Sequence, residues 1–321
     1  MHANGSCLRA ATLCLALSIA SGPLLAQDAH PAPAVALAAP PSAPFDIPRP
    51  NRLSRIASGF NASLTFTGLH ESDTGYATLL TADAEYNFND TFSMDASFPV
   101  YLYRLAPSLR NNPPPGQLLV PLRGDPGDTE FGLNGEWSNR AFSYIGTFSF
   151  TAPTGDATYG LSSGHWTVDY TNHFEHTFGL FTPDIEIGIG DSNELANRSI
   201  NQNYTSLGAL SHFQAGFSLD LIHDSSLSID AYEDLPIGDQ KIYQSVRRGH
   251  IIINQATGVN LSEDNGFINE LEIPLSDHLT LSGYYIRSLR LHTDSAAASL
   301  TYTFRVPPPD DLEHNVAALF R

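Results

Sequence analysis

Thr91 to Tyr103 reads TFSMDASFPVYLY. Phe92, Met94, Ala96, Phe98, Val100 and Leu102 fall on one side of an extended chain, and Ser93, Asp95, Ser97 and Tyr101 on the other. Side chains of a strand alternate with a period of two, so the two faces of this segment meet different solvents. The pattern recurs. Leu80, Ala82, Ala84, Tyr86 and Phe88 form one apolar face, Phe131, Leu133 and Trp137 another, and Leu300, Tyr302 and Phe304 the last. Long alternating strands predict an all-β fold: a transmembrane antiparallel up-and-down β-barrel, apolar towards lipid and polar towards an inner aqueous space.

The N-terminal stretch agrees with export. Arg9 precedes an apolar core, Ala10 to Ala20, that is too short to span a bilayer. This predicts a signal peptide over 1–26, cleaved after Ala26, and localisation in the cell outer membrane. Both cysteines, Cys7 and Cys14, leave with it, which excludes disulfides and cysteine-based chemistry from the mature chain. The full chain carries a formal charge of -18, and losing Arg9 makes it one unit more negative. Nucleic acid is therefore excluded as a partner. A mean hydropathy of -0.14 is ordinary for a barrel, because half of each strand faces water.

Residues 27–54 are rich in Pro and Ala and lack periodicity, as in a flexible periplasmic leader. The barrel is expected over 55–304. Short turns recur at Asn89-Asp90, Asn139-Arg140, Glu175-His176, Asp224-Ser225 and Ser276-Asp277. Between them fall long connections at Gly68 to Gly75, Arg104 to Gly127, Pro153 to Gly164, Asp191 to Asn203 and Ile237 to Asn265, and a shorter one at Arg290 to Asp294. Strict alternation of short periplasmic turns and long outer loops gives about twelve strands, with fourteen the alternative. The segment 250–261, HIIINQATGVNL, is assigned to an outer loop because a strand there breaks the alternation. Phe88, Phe92, Trp137, Phe142, Phe174, Phe178 and Phe304 cluster beside the short turns, as in an interfacial aromatic girdle. A soluble sandwich would also alternate, but it explains neither the girdle nor the loop asymmetry.

Ala298 to Phe304, ASLTYTF, resembles the C-terminal recognition signal of outer-membrane proteins, which implies the barrel-assembly machinery as a partner during insertion. Arg305 to Arg321 follow it. Leu312, Val316, Leu319 and Phe320 take helical spacing there, readable as a short periplasmic helix or as a frayed tail.

Phe150 to Gly164 reads FTAPTGDATYGLSSG, and an aromatic strand with Trp166 follows. With Pro153, Thr154, Gly155 and Asp156 in the turn, this hairpin is similar to the outer-membrane proteins named for the MetA pathway of phenol degradation. That resemblance implies a barrel transporter passing small, including aromatic or amphipathic, solutes. Physically, Pro fixes φ, Gly admits positive φ and Asp bonds nearby amides, so the motif also serves as plain turn chemistry.

The alternation assigns to the inner face Asp83, Glu85, Asp95, Glu130, Glu136, Asp169, Asp184, Glu186, Asp220, Asp230, Asp234, Glu270 and Glu272, with Tyr101, Tyr103, Ile145, Tyr284 and Ile286. Arg104, Arg110, Arg123, Arg247 and Arg248 are expected in or near the outer loops. Three readings of this acidic wall stay open. An open lumen would favour cations. Loops folded inward would place arginines among the carboxylates. The acids alternatively do no more than keep the lumen wet.

His165, Asp169 and His173 share one inner face and are metal-ligand types. Residues four apart on a strand are roughly 13 Å apart, while a ligand atom lies about 2 Å from its ion. No metal or other cofactor is expected. Ser162, Ser163 and His165 are adjacent but lack a nucleophile motif, so no catalytic residue and no enzyme is expected. The expected function is passive or facilitated uptake of small solutes, with outer-membrane lipid and lipopolysaccharide as surroundings. The alternatives are a structural or adhesive barrel and, behind it, a hydrolase.

Overall fold

A computed structural model describes residues 59–72, 75–89, 91–107, 119–139, 142–192, 204–248, 251–258 and 260–306. The expected signal peptide and leader, Arg110 and the tail beyond 306 lie outside the described residues.

The alternating segments form β1 (Gly59–Glu71), β2 (Gly75–Asn87), β3 (Phe92–Pro107), β4 (Leu119–Leu122), β5 (Asp125–Pro126), β6 (Thr129–Ser138), β7 (Ser143–Ala152) and β8 (Thr167–Glu175). Then follow β9 (Phe181–Asp191), β10 (Tyr204–Asp220), β11 (Ser226–Arg248), β12 (Ile251–Ala256), β13 (Asp264–Ser276), β14 (Leu279–Ser288) and β15 (Asp294–Val306). Pairing is antiparallel throughout, and β15 closes on β1 from Phe60↔Val306 to Glu71↔Ser295. The ring holds twelve strands; β4 and β5 pair back on β3, and β12 pairs with β11. A closed ring has no edge, so every strand finds two neighbours.

The exposed face is the apolar one. Phe66 is 47 % exposed while the next residue, Thr67, is 3 % exposed, which fixes outside and inside on β1. Phe92, Met94, Phe98 and Leu102 are likewise exposed. Such a belt of large apolar side chains suits lipid and not water. All seven girdle aromatics are exposed. Trp137, Phe142 and Phe174 form a chain along the rim, with ring centroids 5.3 Å and 6.5 Å apart. Asparagine side chains close the short turns. Asn89 Oδ1 accepts the amides of Thr91 and Phe92 at 2.8 and 2.9 Å, and Asn139 Oδ1 accepts that of Phe142 at 3.0 Å.

Three expectations are corrected. Gly68 to Gly75 is not a long loop: β1 and β2 stay paired up to Glu71↔Gly75. Ile237 to Asn265 is not irregular either. Past Asp234↔Asp264, β11 leaves β13 but continues for a total of 23 residues. Its end pairs with β12, from Tyr243↔Ala256 to Arg248↔Ile251. The segment 250–261 is thus partly a strand, in a ribbon beyond the ring, so the count of twelve holds. Arg247 and Arg248 lie at the end of this ribbon.

The third correction concerns parity on β3. Thr78↔Tyr103 and Leu79↔Tyr101 are consecutive pairs, so Leu102 is an extra residue in a bulge. One added residue inverts the side-chain order beyond it. Arg104 therefore turns inward and is 1 % exposed, instead of standing in an outer loop, and Tyr103 shares the outward parity of Thr78 instead of lining the lumen.

Candidate functional site

The register places the expected acids on the face opposite the lipid-type belt. Glu85 pairs with Asn61 and Asp95, Asp83 with Ser63 and Ser97, and Glu130 with Ser97 and Thr151. Glu136 pairs with Ile145, and Asp169 with Ser149. Several are held by neutral donors. Ser63 Oγ donates to Asp83 at 3.2 Å, Asn61 Nδ2 to Glu85 at 3.5 Å and Asn134 Nδ2 to Asp95 at 2.6 Å.

Opposite charges are scarce on this face. Among the described residues Arg104 is the inward arginine. Its guanidinium stands 4.7 Å over the Tyr101 ring and attracts Glu71. Arg123 is exposed in the turn between β4 and β5. Arg287 pairs with Asp294, and Arg290 with Glu263.

The wall formed by β8 to β11 holds what the sequence reading missed. His212 Nε2 on β10 lies 3.1 Å from Asp169 Oδ2 on β8, although β9 runs between them. Gly188 and Gly190 of β9 make this reach possible. An alanine Cβ at Gly188 would overlap the His212 ring, and one at Gly190 the Asp169 carboxylate. Glu186 continues the chain, with His212 Nδ1 at 3.9 Å and His173 Nδ1 at 3.6 Å; His173 Nε2 is 3.8 Å from Glu175. The signal was present in Gly188-Ile189-Gly190: glycine on successive inward positions leaves space that neighbouring side chains fill.

On the facing wall, β1 and β15 meet through neutral hydroxyls. Thr65 and Thr301 hydroxyls are 3.0 Å apart, Thr67 and Ser299 hydroxyls 2.8 Å, and all four residues are buried.

At the loop end the connection between β7 and β8 folds inward. Leu161 is 1 % exposed and packs with Leu69, Ala77, Leu79, Tyr101, Ala106 and Leu122, which belong to β1–β4. Asp128 pins this cap: Gly155 N donates to it at 3.0 Å and Ser163 N at 2.8 Å. Thr154 Oγ1 donates to Gly127 O at 2.9 Å, and Thr129 N donates to Thr154 Oγ1 at 2.9 Å. Gly155 touches the Leu161 carbonyl so closely that no Cβ fits. Within the motif, then, Thr154 and Gly155 anchor the cap, and the Asp156 carbonyl accepts the Tyr159 and Leu161 amides at 3.1 and 3.0 Å. Pro153 leads the chain from β7 into it.

His165 stands beside the cap, before β8. Its Nε2 faces Asp191 at 3.5 Å, and this hydrogen bond raises the imidazole pKa against the opposing effect of burial. Ser163 Oγ donates to the His165 carbonyl at 2.6 Å, so serine and imidazole do not form a nucleophile–base pair. Asp169 meets His212 rather than His165 or His173, and among the described residues no three ligand-type side chains converge on one point.

The overall likeness is to outer-membrane channels. The COG4313 outer membrane channel from Pseudomonas putida F1 superposes with a TM-score of 0.51 at 13 % identity, over 78 % of this chain and 96 % of that one. KdgM porin gives 0.45 at 8 % identity over 75 % and 99 %, and the CymD monoaromatic hydrocarbon channel 0.39 at 7 % over 79 % and 90 %. At 13 % identity the likeness to the COG4313 channel speaks for the fold alone. No family model matches, and no curated protein matches.

Proposed function

We propose that this chain is an outer-membrane channel for passive or facilitated entry of small solutes, with no enzymatic activity. The observation that carries this reading is the inverted solvent preference of the closed ring: large apolar side chains outside, carboxylates and hydroxyls inside. A soluble protein would put them the other way round. Outer-membrane lipid and lipopolysaccharide would surround it, and the barrel-assembly machinery would insert it. The motif at Pro153 to Asp156 is compatible with the MetA-pathway resemblance and with aromatic or amphipathic solutes, for which the partly buried Tyr159 and Tyr284 beside the cap offer surfaces.

The inward cap favours a variant of this reading, in which the resting barrel is narrowed at the loop end. The test is current through the refolded mature protein in planar bilayers under a KCl gradient. Steady current supports a channel. Silence that persists after removal of residues 155–163 would favour a structural barrel instead.

A further inference from the structure

The cap between β7 and β8 is fastened in two ways. Asp128 accepts the Gly155 and Ser163 amides, and Leu161 packs on the wall beneath. Neither amides nor leucine change charge near neutral pH. The other fastening is His165, at the end of the cap where the chain enters β8, and histidine does change charge there.

Both nitrogens of the His165 ring face acceptors. Nδ1 lies 3.1 Å from the Ser163 carbonyl oxygen, and Nε2 lies 3.5 Å from Asp191 Oδ2. A neutral imidazole has one N–H, so one of its nitrogens would turn a lone pair towards an oxygen. An imidazolium donates from both. The charged groups that face the ring are Asp191 at the end of β9 and Asp128 in the turn before β6, and both are carboxylates. The His165 and Asp191 side chains are half-buried, so water and salt screen their attraction less than at an open surface. The two contacts also join different parts of the molecule. Ser163 belongs to the cap and is held by Asp128, whereas Asp191 ends the strand that follows β8 round the ring. A protonated ring therefore ties the trailing end of the cap to the wall, and a neutral ring gives up one of the two ties.

We propose that His165 is a proton-operated latch: its imidazolium holds the cap inward, and loss of the proton lets the cap lift, so that the path widens as the medium outside turns alkaline. The widening of a path rests on the channel reading. The direction follows from the partner. The Asp191 hydrogen bond raises the imidazole pKa above the ordinary 6.5, against the effect of burial. The latch is then fully set below 6.5 and is released as pH rises through the raised value.

The test is current through the refolded mature protein in planar bilayers at fixed KCl, recorded from about pH 5 to about pH 9, a range that spans imidazole titration. Wild-type conductance is expected to rise across it. His165→Gln keeps a donor but takes up no proton, and should lose the rise. Asp191→Asn removes the charged partner, and should move the rise to lower pH. Any response left in His165→Gln belongs to the inner wall, with its carboxylates, His173 and His212. A wild-type conductance that does not change with pH, or an equal rise in wild type and His165→Gln, overturns the latch and keeps the channel. Silence of every protein, including one lacking residues 155–163, sinks the channel. The latch is then decided by hydrogen exchange at the Gly155 and Ser163 amides, corrected for the intrinsic rate. Exchange must slow on acidification in wild type and not in His165→Gln, and equal behaviour of the two overturns it.

Discussion

Asp169 and His212 meet at 3.1 Å from strands that are not neighbours, through the gap left by two glycines on the strand between them. Alanine at Gly188 or Gly190 would force the pair apart or the sheet to shift, at roughly 1–3 kcal/mol. Alanine at Gly68, where a Cβ meets nothing within 4 Å, is the control. Urea unfolding of the reconstituted barrel should show a lower midpoint for the first two variants only.

The cap depends on Leu161 and on the carboxylate of Asp128. Leu161→Ala removes a fully buried side chain, and such a truncation costs about 2–5 kcal/mol locally. Asp128→Ala removes the acceptor of two loop amides. Both variants should raise single-channel current over wild type while leaving the global unfolding midpoint nearly unchanged, since neither residue belongs to a strand of the ring. An unchanged current would show that the cap does not narrow the path.

His165 gives the cap a pH dependence. Its folded-state pKa lies above the ordinary 6.5 because of Asp191. The stabilisation is therefore fully present below 6.5, and it fades as pH rises through the raised value. Hydrogen exchange in residues 157–165, corrected for the intrinsic rate, should be slower in mildly acidic than in alkaline buffer. In His165→Ala that difference should disappear.

Arg104 is a buried cation that Glu71, itself 5 % exposed, attracts. Arg104→Gln leaves the carboxylate without that charge, and breaking a buried pair costs about 3–5 kcal/mol. Restoring balance with Glu71→Gln in the same chain should recover part of the loss in unfolding experiments; full additivity of the two losses would argue against coupling.

Charge on the remaining inner wall is tested by reversal potential. Glu130→Lys with Glu136→Lys should shift the current away from K⁺ if the wall acts on permeating ions. No shift would leave the acids as agents of hydration alone.

Parity of side chains was legible from Thr91 to Leu102, since lipid on one side and water on the other select residue types independently of any partner strand. It ceased to be legible at Leu102, because a bulge is a property of two strands: only pairing with Thr78 and Leu79 shows that one residue is extra. For the same reason 250–261 could be excluded from the ring by counting turns, yet its pairing with β11 could not be foreseen. The sequence by itself determined the class of fold, the strand number and the acidic character of the inner face, all consequences of local alternation. Tertiary structure alone decided the meeting of Asp169 with His212, the approach of Asp230 to Asp184 and the seating of Leu161 over the inner wall. Each of those brings together residues whose separation along the chain carries no periodic trace, and each depends on the pairing of strands and on the space a glycine leaves.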